Sequence, residues 1–511
     1  MLENRRIYKI DCGLIGYMRF NILFGGEAGQ GPNILTHVLG ETLVKQGYYV
    51  FYSRDYQSLI RGGHNFNVLT FSDKPIYSND KQMDILVSLD ENTTEIHKKD
   101  LKEKGIVLEG KNENMYFAGK LFKILGLDFK LLELELMQLE KRFEENLREA
   151  KKGYLSIEKS MELEKISEEK NYFQNGNQGI SKGAVKSGID IYYAYPMTPA
   201  TPVLGELAEN QIGENILVLE IENEIAVINA GIGSAMAGAK VMIGTSGGGF
   251  DLMTESLSLA GIAEVGIVIY LSQRPGPGTG VATYTGQGDL NIARHAGHGE
   301  FPRIVLAPGD PKESEELVNQ AFYFSQKFRI PSIIISDKHL GESFYTLEEK
   351  PKIIESKKSM ELERYNSYEK DSEGSATENA EIIKKNIERR LRKGEEIKKE
   401  AEKFEKYSIY GNKESTNIII GWGSTKGAIL DSMKDLNCKF IQIKYIEPFP
   451  EKIREEILGK NIILIENNST GQLGSLIREK TGIEIKNKIL KYDGRPFLCN
   501  ELKKEIERLL R

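Results

Sequence analysis

The sequence predicts an α/β protein made of three separate sheet domains. Three segments, which begin near residues 20, 176 and 417, each alternate apolar strands with helical patterns, and this alternation is typical of α/β domains. With 511 residues, of which 40% are hydrophobic, the chain can bury a large core and divide into several domains. We expect domains at 1–160, 161–345 and 416–511, and a charged linker with a long helix at 346–415.

The first segment, about residues 20 to 160, carries four strand patterns and one clear helical pattern. The strands are Phe20–Phe24, Tyr48–Tyr52, Ile85–Leu89 and Gly105–Leu108. The helix, Ile34–Gln46, follows a glycine-rich turn after the first strand, and this order predicts a parallel sheet. The charged stretch Lys141–Lys170 has apolar residues at helical spacing, so we expect a helix or a mobile linker there.

The second segment runs from Gly176 to about Ser343 and is rich in glycine. Its buried-type strands are Ile191–Tyr195, Val265–Leu271 and Ile330–Ile335, and they alternate with helical patterns, so we expect a second α/β unit.

The polar region between Glu348 and Ser415 places several apolar residues on one helical stripe. They are Ile383, Ile387, Leu391, Ile397, Ala401 and Phe404. Such a stripe among paired charges predicts a long solvated helix that lies against a neighbour. The last segment repeats the strand–helix pattern from Asn417, through Phe440–Lys444 and Ile462–Glu466, and predicts a smaller third α/β domain.

Composition excludes several classes of protein. The net charge is −6, and 75 acidic and 69 basic residues are spread along the chain, so no nucleic acid partner is expected. The sequence contains no run of about 18 apolar residues that would predict a membrane span, and its first twenty residues have no small-residue cleavage site of a signal peptide. We therefore expect a cytoplasmic protein. Cys12, Cys438 and Cys499 are too far apart to predict a zinc or iron–sulfur site on this chain.

The first glycine-rich turn, Gly26–Gly31, stands between a strand and a helix. Exposed backbone N–H groups and the helix dipole there favour an anion, but such turns also serve only to pack helix against strand. A dinucleotide-binding fold should have an acid after the second strand that binds a ribose. Here Arg54 precedes Asp55, so this signal is ambiguous. Residues Arg61–His64 also have two possible roles, a tight turn or a contact with an anion.

The second segment concentrates residues that suit a ligand. Thr198 lies between two prolines directly after a strand, where open α/β sheets bind ligands. Glu224 stands at the start of an alanine- and glycine-rich helix, where a capping role is the simpler alternative. Glycine-rich turns at Gly244–Phe250 and around Arg274 let backbone approach a ligand, and the guanidinium of Arg274 offers a fork for a carboxylate or phosphate. Several such turns at strand ends predict a bound ligand.

Six motifs of this segment resemble the alpha subunit of 2-oxoacid:ferredoxin oxidoreductases. They are YPMTP (195–199), ENEIA (222–226), TSGGGF (245–250), SQRPGPGTG (272–280), GQGDL (286–290) and GHGEFPR (297–303). The front segment, with GEAGQG (26–31) and SLIRGGHNFNV (58–68), is similar to the family's gamma subunit. The last segment, with GWGSTKGA (421–428), YIEPFP (445–450) and IENNSTGQL (465–473), is similar to its transketolase-C-terminal-like domain.

The resemblance implies roles for particular residues. Residues 161–345 become the pyrimidine-binding domain for thiamine diphosphate, in which Glu224 hydrogen-bonds the aminopyrimidine ring and acts in catalysis. Thr198 and Arg274 match the residues that receive the 2-oxo acid, and both are expected to act in catalysis together with Glu224. The cofactor-binding set implied is Tyr195, Pro196, Thr198, Glu224, Ser246 and Gly247. The implied reaction is coenzyme-A-dependent oxidative decarboxylation of a 2-oxo acid with reduction of ferredoxin, or the reverse. The fused front domain favours 2-oxoglutarate, or broad use of 2-oxo acids, as substrate.

A divided site is also implied. Thiamine enzymes that hold their own diphosphate carry G-D-G followed by N-N, and this chain has no G-D-G, so Asn467-Asn468 stands without its counterpart. The resemblance therefore places Mg²⁺, the diphosphate contacts and a 4Fe-4S cluster on a separate beta subunit, in a heterodimer or a dimer of heterodimers. Between Tyr345 and Glu378 the sequence departs from the family pattern, with Asp371–Gly374 as its nearest remnant.

Two other readings stay open at the level of sequence. One is a thiamine enzyme of another type, such as a transketolase-like transferase or a non-oxidative decarboxylase, which the missing G-D-G disfavours. The other is a nucleotide sensor or scaffold that has lost its site, which the presence of Thr198, Glu224 and Arg274 together disfavours.

Overall fold

The computed structural model describes residues 18–57, 63–110, 114–139, 142–167, 172–358 and 364–511. Cys12, Arg61 and Gly62 lie outside these ranges. Within them, no helix combines the length and the apolar character needed to cross a bilayer. The chain divides into two compact units: the first is 1–174, 343–348 and 498–502, and the second holds the remaining residues. Three sheets are present among α-helices, which confirms the predicted α/β class; the four stretches expected above stay a prediction.

The first unit contains one seven-stranded sheet. Its elements, numbered in chain order along the whole protein, are β1 (Arg19–Glu27), α1 (Pro32–Lys45), β2 (Tyr49–Asp55), β3 (His64–Ser72), β4 (Met83–Ser88), α2 (Glu91–His97), a 3₁₀ turn (Lys98–Asp100), β5 (Leu101–Glu109), α3 (Asn114–Leu125), α4 (Phe129–Met137), α5 (Phe143–Leu155), β6 (Tyr172–Asn175) and β13 (Phe344–Leu347). The strand order is β5-β4-β1-β3-β2-β13-β6.

The prediction of a parallel sheet in this unit is wrong. Strand β3 pairs antiparallel with both β1 and β2, and β13 pairs antiparallel with β2, while β1, β4 and β5 run parallel to one another. The sequence analysis did not predict strand β3, which lies between β1 and β2 in the sheet and runs antiparallel to both.

Part of the charged stretch Lys141–Lys170 forms a packed helix. Helix α5 lies against α3 so closely that a Cβ atom at Gly153 would overlap the carbonyl oxygen of Tyr116, and one at Gly119 would overlap that of Ala150. Glycine is therefore required at both crossing points, because no other residue lacks the Cβ atom. The helical alternative is the correct one for 143–155.

The second unit begins with a sheet of seven strands. Its elements are α6 (Gly176–Lys186), β7 (Ile191–Ala194), α7 (Thr201–Asn210), β8 (Leu217–Glu220), α8 (Glu224–Met236), β9 (Val241–Thr245), α9 (Gly247–Leu252), α10 (Thr254–Ala263), β10 (Ile267–Gln273), α11 (Leu290–His295), β11 (Ile304–Leu306), α12 (Pro311–Phe328), β12 (Pro331–Asp337) and α13 (Lys338–Glu342). The strand order is β17-β11-β12-β10-β9-β7-β8, in which β17 is Tyr445–Glu447, and all the strands are parallel apart from β17. Strands β10 and β12 are buried along their whole length, as apolar strands covered on both faces should be.

The rest of this unit carries a long helix and a five-stranded sheet. The elements are α14 (Ala380–Ala401), β14 (Tyr407–Gly411), β15 (Asn417–Trp422), α15 (Thr425–Ser432), β16 (Lys439–Ile443), β17 (Tyr445–Glu447), α16 (Ile453–Ile457), β18 (Asn461–Glu466), α17 (Gln472–Thr481), β19 (Asn487–Leu490) and α18 (Cys499–Leu510). The first turn of α18, residues 499–502, is counted with the first unit. The sheet order is β14-β16-β15-β18-β19, with β14 antiparallel to β16.

Helix α14 is the helix predicted from the apolar stripe, but only one end of that stripe is buried. Ile397 and Ala401 are inside the core, whereas Ile387 and Leu391 are exposed. Ion pairs replace apolar packing in the middle of the helix, where Lys393 contacts the buried carboxylate of Glu264 at 2.5 Å.

A candidate active site at the strand ends of the central sheet

Three of the predicted residues follow neighbouring parallel strands. Thr198 comes after β7, Ser246 after β9 and Arg274 after β10, and these strands pair in the order β7-β9-β10. Because carboxyl ends of parallel strands meet at one edge, the chain brings these residues to the place where open α/β sheets bind ligands.

Arg274 is anchored beside Thr198. Its Nη1 donates to the carbonyl oxygen of Thr198 at 2.8 Å, while its Nε is buried without an acceptor. Burial lowers the pKa of the Arg274 guanidinium, and the carboxylates of Asp289 and Glu224 act in the opposite direction. A guanidinium remains charged at neutral pH, so the site holds a fixed cation whose Nε donor is still available.

Glu224 is the first residue of α8, yet it does not cap that helix. The cap is Asn223, whose side chain accepts from the backbone N–H of Ala226 at 2.9 Å. Glu224 is only 4% exposed, and its Oε1 has no hydrogen-bond partner. A Cβ atom at Gly249 would lie 2.8 Å from that oxygen, so glycine at 249 allows the α9 backbone to approach the carboxyl group. The capping alternative is therefore wrong for Glu224.

Ser246 and Gly247 form the turn that enters α9. The hydroxyl of Ser246 is buried and has no hydrogen-bond partner, and it makes no capping bond to the helix. A Cβ atom at Gly247 would overlap the carboxylate of Asp289. Of the two remaining cofactor-binding predictions, Tyr195 is 39% exposed at the end of β7, and Pro196 beside it is half-buried.

Asp289 is a site residue that reasoning from the sequence missed. Its backbone N–H donates to Oε1 of Gln273 at 2.9 Å, which ties its loop to the end of β10, and its Oδ2 is buried without a donor. The pKa of Asp289 is raised to about 6, chiefly by burial and then by the charge of Asp251, while Arg274 acts in the opposite direction. The GQGDL motif contained this acid directly after a glycine turn, and that position was the available signal.

The loop that carries Asp289 is held by the five-stranded sheet. The backbone N–H of Gln287 donates to the carbonyl oxygen of Asn467 at 2.7 Å, and Nε2 of Gln287 donates to that of Trp422 at 2.9 Å. Nδ2 of Asn468 donates to the carbonyl oxygen of Gln287 at 3.1 Å. The Asn467-Asn468 pair thus positions the loop.

The resulting arrangement is a cluster of polar atoms that lack partners. Glu224 Oε1, Ser246 Oγ, Arg274 Nε and Asp289 Oδ2 are all buried and unsatisfied by other described residues. Buried polar atoms are normally paired, so this cluster is complementary to a ligand that offers both donors and an anionic group. Chemically it can bind a carboxylate and hold a polar ring through hydrogen bonds.

The glycine-rich turn of the first unit is closed by its own side chain. Oε1 of Gln30 accepts from the backbone N–H of Glu27 at 2.8 Å, so this N–H is not available to an anion. Nearby, the Nε2 atoms of His64 and His97 lie 2.8 Å apart. The two alternatives for this turn, packing or ligand binding, both stay open.

Comparison with known proteins identifies an oxidoreductase that uses an iron–sulfur protein as acceptor. Residues 182–409 match the family model "Pyruvate flavodoxin/ferredoxin oxidoreductase, thiamine diP-bdg", and residues 21–115 match "Pyruvate ferredoxin/flavodoxin oxidoreductase". The chain is 30% identical to the 2-oxoacid:ferredoxin oxidoreductase subunit alpha of Saccharolobus solfataricus, over 96% of this chain and 98% of that protein. It is 29% identical to the 2-oxoglutarate synthase subunit KorA of Methanocaldococcus jannaschii, over 58% and 88%.

The fold matches a solved structure over nearly the whole chain. This is the 2-oxoglutarate:ferredoxin oxidoreductase from Magnetococcus marinus with 2-oxoglutarate, coenzyme A and succinyl-CoA bound, with a TM-score of 0.86, 23% identity, and coverage of 96% of this chain and 100% of that one. The chain belongs to the alpha subunits of the 2-oxoacid:ferredoxin oxidoreductases, and the resemblance inferred from its motifs is confirmed.

Proposed function

We propose that this chain is the alpha subunit of an enzyme that converts a 2-oxo acid and coenzyme A to acyl-CoA and carbon dioxide with reduction of ferredoxin, or runs the reverse reaction. The observation that carries the proposal is the cluster of unsatisfied polar atoms at the strand ends, in which one guanidinium faces two carboxyl groups. Membership of the family supports the same chemistry.

Thiamine diphosphate is the proposed cofactor, and the residues present fit it. The family model matched by 182–409 is described as thiamine-diphosphate binding, and Oε1 of Glu224 is a buried carboxyl oxygen with no protein partner. Glu224 would hydrogen-bond a nitrogen of the aminopyrimidine ring there, with Tyr195, Pro196, Ser246 and Gly247 around it. When bound, this cofactor supplies the nucleophilic carbon and the electron sink for decarboxylation.

Arg274 is the proposed carboxylate receptor for the 2-oxo acid. Its Nη1 is fixed on the carbonyl oxygen of Thr198 and its Nε remains open, so the fork is held in place before substrate arrives. The Thr198 hydroxyl would hydrogen-bond the substrate beside it. We favour 2-oxoglutarate, because relatives include a protein named 2-oxoglutarate synthase and the matched fold was solved with 2-oxoglutarate.

A separate beta subunit is the proposed partner. Relatives that match along their whole length are named alpha subunits, and the sequence has neither a G-D-G motif nor clustered cysteines. The beta subunit would supply Mg²⁺, the diphosphate contacts and a 4Fe-4S cluster, in a heterodimer or a dimer of heterodimers. Residues 1–160, 161–345 and 416–511 would be the gamma-type, pyrimidine-binding and transketolase-C-terminal-like domains, joined by 346–415.

The test is anaerobic co-purification with the native beta subunit, followed by iron and thiamine diphosphate analysis and coenzyme-A-dependent viologen reduction on a panel of 2-oxo acids. Glu224→Gln should still assemble but lose about 100-fold or more in rate, a typical effect of losing an acid–base group. Glu222→Gln is the matched control, because Glu222 is exposed two residues away. Full activity in Glu224→Gln, or an assembled complex that consumes 2-oxo acid without reducing viologen, would overturn the proposal.

A further inference from the structure

A cleft of about 450 Å³ lies at the N-terminal ends of the strands in the seven-stranded sheet of the second unit, whereas Thr198 and Arg274 lie at the C-terminal ends. Arg303, one of its lining residues, directly precedes β11, which runs parallel to β12 and β10. Thr198 and Arg274 instead follow their strands. Since β10 has seven residues, the two edges are about 20 Å apart at the usual rise per residue.

Two arginines in this cleft carry buried N–H groups that have no acceptor. The side chain of Arg294 is 5% exposed, and its Nη2 donates to Glu479 at 2.9 Å, but its Nε is unpartnered. Nη1 of Arg303 is also buried and unpartnered, while its guanidinium carbon lies 4.5 Å from the centre of the Phe301 ring.

The third arginine and the two lysines that line the cleft are already paired, and Lys480 contacts Glu479 at 3.1 Å. Arg390 binds Glu369, with one contact from Nη1 at 3.2 Å, and Lys398 contacts Glu395 at 2.8 Å. Among the lining residues, which all fall in the described ranges, only Arg294 and Arg303 therefore have a buried nitrogen open to an acceptor. Burial lowers the pKa of Arg303 to about 10, against the effect of Glu447, so the group is still a cation at neutral pH.

The rest of the lining limits the charge of a ligand. Four carboxylates border the cleft: Glu300, Glu395, Glu447 and Glu479. They would repel a polyanion such as a nucleoside triphosphate, but they tolerate one negative charge placed on the arginines. Phe301, Pro302 and Ile397 supply apolar wall, and the volume is that of an ordinary small-molecule site.

We propose that this cleft binds a small organic acid, whose single carboxylate accepts from Nε of Arg294 and Nη1 of Arg303. A carboxylate has two oxygens in one plane, which suits guanidinium donors. The apolar part of the acid would lie along Phe301 and Pro302. The site is independent of the proposed function, because it uses none of the residues at the other edge of the sheet.

The test is isothermal titration calorimetry of the full chain with sodium acetate, sodium benzoate and inorganic phosphate at constant ionic strength. We expect roughly millimolar or tighter binding of a carboxylate, with benzoate ahead of acetate. Arg303→Gln should weaken it about tenfold or more, since a charge-assisted hydrogen bond is lost. Arg392→Gln is the matched control, because Arg392 is exposed on α14 and does not line the cleft.

Three results would overturn the inference. One is equal carboxylate binding in the wild type and Arg303→Gln, or none in either. A second is tighter binding of phosphate than of both carboxylates, which would contradict a site for a single negative charge. The third is loss of binding in the complex with the beta subunit, which would show that a partner's side chain fills the cleft.

Discussion

Replacing Asp289 with asparagine should stabilise the protein at neutral pH. The carboxyl group of Asp289 is largely buried, its Oδ2 has no donor, and its pKa is raised from 3.8 to about 6 by burial and then by Asp251. A buried charge without a partner costs free energy. Asparagine has nearly the same shape and no charge, so it removes this cost.

The sign and size follow from the two pKa values. Between about pH 4 and pH 6 the folded protein holds a proton on Asp289 that the unfolded chain has released, so the free energy of unfolding falls as the pH rises through this window. The difference is about 2 pKa units, equivalent to about 3 kcal/mol once both states are ionised. Asp289→Asn should therefore gain roughly 1.5 kcal/mol at about pH 5 and roughly 3 kcal/mol at about pH 8.

Differential scanning calorimetry of both proteins from about pH 5 to about pH 8 measures this gain. A shift of about 5 °C in the transition of the second unit is expected at the upper end, given the usual conversion for large domains. Asp493→Asn is the control with the opposite sign, because Lys491 lowers the pKa of that acid although burial opposes it. A difference between Asp289→Asn and wild type that does not change with pH would refute the reasoning.

Three further substitutions test other contacts. Lys426→Met should destabilise the second unit by about 3–5 kcal/mol, since it leaves Asp310 and Glu313 buried without their cation; thermal unfolding measures this, and an unchanged midpoint would contradict the pairing. Arg274→Lys should raise KM for the 2-oxo acid about tenfold or more, because lysine lacks the fork; steady-state kinetics of the assembled enzyme would refute this with an unchanged KM. Gly119→Ala should cost about 1–3 kcal/mol, because the added methyl group overlaps a backbone carbonyl; proteolysis of the first unit should accelerate, and equal resistance would contradict the packing.

The strands that the sequence predicted are those whose side chains are apolar. Strand β3 was missed because polar side chains fill part of its buried face. Nδ2 of Asn67 donates to Oγ1 of Thr36 at 3.0 Å, and Thr70 donates to the side chain of Asn21. Each of these polar groups is hydrogen-bonded inside the core, so burial does not require an apolar pattern. Periodicity of hydrophobic residues cannot detect such a strand, and the error in the sheet direction followed.

In the candidate site, residues that directly follow a strand could be predicted from the sequence, whereas a residue held by a contact distant in sequence could not. Thr198, Ser246 and Arg274 were predictable, since each stands in a turn directly after an apolar strand, and the strand alone fixes its place. Asp289 has no strand before it. Its position depends on Gln273, which is 16 residues away, and such a contact cannot be inferred from spacing.

The five-stranded sheet holds the loop that carries Asp289, and Asn468 has a structural role there that its sequence motif did not suggest. Both polar atoms of its side chain are engaged: Nδ2 donates to Glu466 at 2.6 Å and to the Gln287 carbonyl, and Oδ1 accepts from the backbone N–H of Gly471 at 2.7 Å. Oδ1 also accepts from the backbone N–H of Thr470 at 3.2 Å, so a metal ion bound to this oxygen would have to displace one of the two N–H groups. The same side chain closes the turn before α17 and orients the loop of Asp289. The C-terminal sheet is therefore part of the construction of the site at the strand ends, although it contributes none of the unsatisfied polar atoms there.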